Sequence, residues 1–296
     1  MATNGKAIAV ARGAGTIINA MATWKGAAFG VDLFTKATVE IIDDGFEIEI
    51  KSEKGESDSL ARTCVERLLS KFEVDKGAKV KTESNIPIAR GMKSSSAAAN
   101  AITLATLEAL GKREGFADLD IMNMSVDACI DARVTMTGAF DDTSASFLGG
   151  MQVTDNKKRA ILKSEPIPAY DVLFMVGEKK SYSGKMDKEK FKAIGKEVDK
   201  AFELAKKGDY WTAMKMNSDI YCKVLGIDPA PVEIALQNKA LGAGLSGKGP
   251  AICAVCDHPN RKEAVLDAWK AAGYKTIIEC KTNNEKASVS SEEKRE

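Results

Sequence analysis

The chain reads as an α+β protein in two parts. Runs that alternate apolar and polar residues open it, helix-spaced apolar runs separate the later strands, and the composition turns rich in Lys, Glu and Met from Glu178 to Lys215. With 296 residues, 44% of them apolar, there is material for one large core or two modest ones. A boundary is expected between residues 155 and 170.

Lys6 to Val10 start a strand that gives way to ARGAGTIINAMATWKGAAFGVDL, whose glycines read as a functional loop. In ATVEIIDDGFEIEIKS, Asp44-Gly45 stands between two alternating runs, the residue chemistry of a β-hairpin turn. Leu60, Cys64, Val65, Leu68, Leu69 and Phe72 follow helical spacing, and AKVKTES returns to alternation. A helix is expected to begin at Ser94 to Ser96 and stop at Gly111, and a second to run from about Leu119 to Arg133. The loop TGAFDDTSASFLGG then leads into short strands at MQVT, RAILK and DVLFMVG. Helices fill the Lys/Glu/Met-rich stretch, of which Glu178 to Lys190 is polar enough to act as a lid. Pro229 to Ala240 form a short helix, GAGLSGKGP a glycine loop, AICAVC a strand, Arg261 to Ala272 a helix and YKTIIEC a final strand. The tail KTNNEKASVSSEEKRE has almost nothing to bury and reads as disordered.

Composition excludes several classes. Forty-three Lys+Arg against forty-two Asp+Glu leave a formal charge of +1, so nothing draws the chain to nucleic acid or an anionic membrane. No apolar run approaches the roughly 20 residues that span a bilayer, and MATNGKAIAV has no signal-peptide core, so the expected location is the cytoplasm. Six scattered cysteines read as reduced core thiols; Cys253 and Cys256 form a C-x-x-C inside an apolar strand, with no second pair to complete a zinc site. The one histidine, His258, leaves chemistry to carboxylates, lysines, hydroxyls and backbone.

Three loops could carry that chemistry. In ARGMKSSSAAANA a glycine turn feeds three serines into an alanine-rich helix, so amides, hydroxyls and the positive helix end converge, with Lys93 beside them. That is an anion site or, more plainly, a serine cap on a closely packed helix. GAGLSGKGP satisfies G-x-G-x-x-G and nearly the Walker pattern, but it runs through Pro250 into a strand, so it is a loop that lets backbone approach a ligand or a neighbouring loop, or a simple turn. Asp141 and Asp142 follow a glycine and repel each other, which suits a general base, a metal ligand or an N-cap.

These three loops, in this order, resemble the GHMP kinase superfamily over nearly the whole chain. GAGTIINAMATWKGAAFGVDL, GMKSSSAAANA, TGAFDD and LSGKGPA are similar to the archaeal type of shikimate kinase. The resemblance implies a ribosomal-protein-like N-terminal domain over 1–160, a ferredoxin-like C-terminal domain over 161–281 and the tail 282–296. It implies ATP and Mg²⁺ as cofactors and phosphorylation of shikimate to shikimate 3-phosphate, with shikimate and ATP as partners. Ser95 and Ser96 match the two serines of the phosphate motif G-L-G-S-S-A-A, so Gly91, Met92, Lys93, Ser94, Ser95, Ser96 and Ala97 would hold ATP. Asp142 matches the catalytic aspartate by one family spacing and Asp141 by another, with Lys25 as the lysine that would keep the base ionised. Asp131 stands where the family has a metal-binding glutamate, and would carry magnesium with Ser96. Thr16, Asn19, Asp142, Gly247, Lys248 and Arg133 would meet the substrate, Arg12 and Arg90 being other candidates for its carboxylate. Homoserine phosphorylation, a ligand sensor on the same scaffold and an RNA-binding module are the competing readings.

Overall fold

The computed structural model describes residues 5–51, 58–88, 90–135, 137–177 and 188–290. Two antiparallel-rich sheets organise the chain. The first is seven-stranded, built from β1 (Lys6–Ile18), β2 (Lys25–Ile42), β3 (Phe46–Lys51), β4 (Gly77–Ser84), β5 (Met151–Asp155), β6 (Ala160–Glu165) and β11 (Ser288–Ser290). Its main path runs β11-β1-β2-β4-β3, with β5 joining β2 and β6 joining β5. The second sheet has the order β10-β7-β9-β8, from β7 (Asp171–Met175), β8 (Gly242–Leu245), β9 (Ile252–Cys256) and β10 (Ile277–Lys281). The break between sheets falls between Glu165 and Asp171, so β6 straddles the boundary expected at residue 160.

Helices α1 (Ser59–Lys71), α2 (Ser94–Ala109) and α3 (Asp118–Asp131) cover the first sheet, where Cys64, Leu68, Ile102, Leu107 and Val126 bury against Val39 and Val80. The second core joins Ile17, Phe29 and Val31 of the first sheet to Phe174, Phe202, Tyr221 and Trp269. It is closed by α6 (Gly195–Lys207), α7 (Tyr210–Leu225), α8 (Ala230–Gln237) and α9 (Pro259–Ala271), with α5 (Lys188–Ala193) before them. Among the described residues no helix is long and apolar enough to cross a membrane.

Four expectations are corrected. The glycine-rich stretch after Val10 is a loop only over 19–24, where Asn19, Ala20 and Met21 line the cavity described below: β1 continues to Ile18, and its alternation disappears because both faces become buried. A Cβ on Gly15 would lie 2.5 Å from the Phe29 ring, so its glycine serves close strand packing. The segment at Asp44-Gly45 is not a hairpin either. β4 slots between β2 and β3, antiparallel to one and parallel to the other, and a Cβ on Gly77 would strike the Gly45 carbonyl at 2.0 Å. TGAFDDTSASFLGG contains a helix, α4 (Phe140–Leu148), that packs between α2 and the sheet. Finally, 282–290 of the tail is ordered: Ser288 to Ser290 pair with Val10 to Ile8. The expected lid at 178–190 lies outside the described residues up to 187.

Candidate active site

Two helix starts face one cavity of about 580 Å³. The first belongs to α2. Gly91 (φ +91°) and Lys93 (φ 66°) turn the chain so that Ser94, Ser95 and Ser96 form the first turn, and no side chain caps it. The orphan amides therefore point toward the cavity that the three serines line, with the positive end of a 16-residue helix behind them. Met92 and Ala97, which sequence placed with the nucleotide, are fully buried and not part of the cavity wall, and the Ala97 N–H is bonded to the Lys93 carbonyl (3.1 Å).

The second helix start belongs to α4, where Gly138 (φ +78°) and Ala139 (φ 49°) repeat the left-handed entry and Asp141 and Asp142 occupy the first turn. Asp142 pairs with Lys93 at 2.9 Å, and both side chains are largely buried, at 15% and 8% exposure. The contact is an ion pair without hydrogen-bond alignment, which leaves Asp142 Oδ1 without a hydrogen-bond donor. Asp141 is held differently. Its N–H donates to Asn156 Oδ1 (3.1 Å), its Oδ1 accepts from Asn156 Nδ2 (2.7 Å), and Thr154 Oγ1 donates to Asn156 Oδ1 (2.8 Å). Gly26 makes room for it, since a Cβ there would lie 2.5 Å from the carboxyl carbon. Burial, then the charge of Asp142, push the Asp141 carboxyl up to about 7, against the opposing pull of Lys93 and the Asn156 hydrogen bond. Of two adjacent carboxyls, one is paired with a cation and the other retains its proton far more readily.

The glycine loop after β8 braces the first helix start. Ser246 Oγ donates to the Gly91 carbonyl (2.7 Å), and a Cβ on Gly91 would meet Ser246 O at 2.3 Å, so only glycine permits the crossing. Gly247 N–H donates to Thr16 Oγ1 (2.7 Å) and Asn19 Nδ2 donates to Gly247 O (2.6 Å). Thr16 is buried behind the loop and positions it, whereas Asn19, Gly247 and Lys248 line the cavity. Lys248 is brought down to about 8 by burial and by the neighbouring Lys93, with Asp142 pulling the other way.

Several expected residues lie elsewhere. Lys25 pairs with Asp199 (3.0 Å) and sits over the Phe202 ring, so the cation of the aspartate is Lys93. Asp131 pairs with Arg67 on the outer surface, half-exposed, and is not part of the cavity wall, which removes it from the magnesium set. Arg12 pairs with Glu285 (2.5 Å) and Arg90 donates to the Gly177 carbonyl (2.5 Å), while Arg133, in a left-handed turn after α3, lines the cavity. Sequence reading missed Asn156, Asn217 and Tyr221. Asn217 accepts from the Asn19 N–H (2.9 Å) and Tyr221 donates to the Asn19 carbonyl (3.0 Å); their i, i+4 spacing on α7 is the signal that was there to use.

Comparison with known proteins agrees with this architecture. The description "GHMP kinases N terminal domain" matches residues 59–150 and "GHMP kinases C terminal" matches 231–275. Homoserine kinase from Cytophaga hutchinsonii superposes with a TM-score of 0.73 over 98% of both chains at 15% identity. Mevalonate kinase of L. major, in complex with R-mevalonate, gives 0.68 over 93% of this chain and 95% of that one at 16%. The fold and the two matched models are thus those of a two-domain GHMP kinase. Shikimate kinase of Methanothrix thermoacetophila is 44% identical over 91% of each chain, that of Methanosarcina mazei 43% over 93% and 94%, and that of Halobacterium salinarum 39% over 88% and 92%. The chain belongs to the archaeal type of shikimate kinase within the GHMP superfamily.

Proposed function

We propose that the two helix starts form one phosphoryl-transfer site, in which the γ-phosphoryl group of ATP passes to a hydroxyl of shikimate. The observation that supports it most is the Lys93–Asp142 pair, which joins the serine turn of α2 to the aspartate turn of α4 across the cavity. Phosphoryl transfer asks mainly for positioning and charge stabilisation. The amides and hydroxyls of Ser94 to Ser96 would hold the phosphates, and Lys93 would offset their charge. Asp142 would orient the acceptor hydroxyl and take its proton as charge moves to the phosphate. Lys248 and Arg133 supply cations for the carboxylate of shikimate.

Magnesium fits this donor set in one way. The described residues hold no cluster of three acidic, His or Cys ligands, and a magnesium–nucleotide site needs only one or two protein oxygens beside phosphates and water. Ser96, in the first turn of α2, is the residue that would hold it, and bound there the ion would neutralise phosphate charge.

A coupled ADP-release assay with shikimate, homoserine and mevalonate tests the proposal. ADP release that depends on shikimate is expected. Turnover on homoserine alone would reassign the acceptor, and ligand binding without any turnover would make the chain a sensor.

A further inference from the structure

The segment that follows β10 does not line the cavity, yet it meets the far end of α4, whose start does. Three glycines mark the meeting. A Cβ on Gly149, the residue that ends α4, would lie 2.7 Å from the Asn284 carbonyl carbon, and one on Gly30 of β2 would lie 2.8 Å from Asn283 O and 2.9 Å from Gly149 Cα. Gly150, with φ +63°, sends its N–H to Asn283 O (2.8 Å), and Asn283 N–H donates to Gly30 O (2.9 Å). Further on, Ala287 N–H donates to the Phe147 carbonyl (2.6 Å), one of the last carbonyls of α4, which has no partner inside its own helix.

The same segment holds the connection between the two sheets. Asn284 grips Ile167 at two points, accepting from its N–H (2.9 Å) and donating to its carbonyl (2.8 Å). Thr282 Oγ1 donates to Pro168 O (2.7 Å), accepts from the Tyr170 N–H (2.9 Å), and Thr282 N–H donates to Tyr170 O (3.0 Å). On the other side Glu285 pairs with Arg12 of β1, whose carbonyl accepts from Ser146 of α4 (2.6 Å). Backbone and asparagine amides do nearly all of this, which is why a stretch with so little to bury is ordered.

We propose that residues 282–290 are a positioning strap for phosphoryl transfer: bonded at once to the C-terminal end of α4 and to the 165–171 connection, they fix the aspartate turn at the other end of α4 relative to the second sheet. α4 is nine residues long, about 13 Å at the usual rise per residue, so a tilt at Gly149 carries directly to Asp141 and Asp142. The second sheet contributes Gly247 and Lys248 from the loop after β8, so the strap sets the distance between the groups that meet acceptor and phosphate. The inference rests on the catalytic reading of the α4 turn.

The test uses the full chain. Ala287→Pro removes the N–H bonded to Phe147, Asn284→Ala releases Ile167, and Ala287→Ser keeps the N–H as the conservative control. For Ala287→Pro and Asn284→Ala, kcat is expected to fall about 10-fold with KM for ATP unchanged within about 2-fold, because the serine turn is not disturbed. Amide exchange at residues 144–150 is expected to quicken, and Ala287→Ser to behave as wild type. Unchanged kcat in variants whose exchange has quickened would overturn the strap's role. So would losses of kcat that merely follow the folded fraction read by circular dichroism. Failure of the catalytic reading shows elsewhere, as full activity in both Asp141→Asn and Asp142→Asn.

Discussion

The starts of α2 and α4 are built alike and charged oppositely. Each is entered through a glycine with positive φ followed by a left-handed non-glycine residue, Lys93 in one case and Ala139 in the other, and neither is capped by a side chain. One presents serines and amides, the other two carboxyls. The positive end of a helix favours both a bound phosphate and an ionised aspartate, so the same local geometry suits the anion receptor proposed for α2 and the anion holder at α4. Lys93 belongs to the receptor by sequence and to the holder by contact. The difference between the turns is thus one of side chains on a shared backbone device, and the lysine makes them a single electrostatic unit.

The comparison can be broken most severely at the holder. Asp142→Asn keeps shape and removes charge, and is expected to lower kcat by ~10²–10⁴ with the fold intact, as read by steady-state kinetics and circular dichroism. At the receptor the expected effect is smaller. Ser95→Ala and Ser96→Ala each remove one oxygen and leave the amides, so KM for ATP or the magnesium requirement should worsen by about 10-fold while stability changes by ~1 kcal/mol or less. Titrating both nucleotide and magnesium separates these two outcomes.

Outside catalysis, an effect on stability belongs to Asp141 alone. Its carboxyl is raised from 3.8 to about 7 in the folded protein, so between these values the native state binds more protons than the unfolded chain. Stability therefore falls as pH rises from about 4 to about 7. Asp141→Asn, which can still accept the Asn156 amide, should flatten that slope and stabilise the protein at pH 8 by on the order of 1–3 kcal/mol, measurable by urea unfolding at several pH values. An unchanged slope would place the proton elsewhere.

What the sequence revealed follows from how local each signal is. The α2 turn was legible because glycine, three serines and a run of alanines specify a helix start that something can approach, all within a dozen residues. The aspartates were legible as chemistry but not as structure, since a glycine on either side suggested a loop where α4 forms. Their cation was not legible. Lys25 and Lys93 are equally plausible until β2 carries the first toward Asp199 and the turn before α2 carries the second toward Asp142. β4 entering between β2 and β3 is likewise a long-range event, betrayed only by Gly77. The strap was misread because reasoning from apolar content finds nothing in TNNEKASVS, while its order comes from backbone and amide hydrogen bonds to glycines far away in the chain.

A double-mutant cycle over Lys93→Met and Asp142→Asn, read as kcat/KM for shikimate-dependent ADP release, addresses the joined helix starts most directly. If the two turns act as one site, the double variant is little worse than Asp142→Asn alone, with a coupling of about 1 kcal/mol or more. Losses that multiply independently, with no coupling, would contradict it.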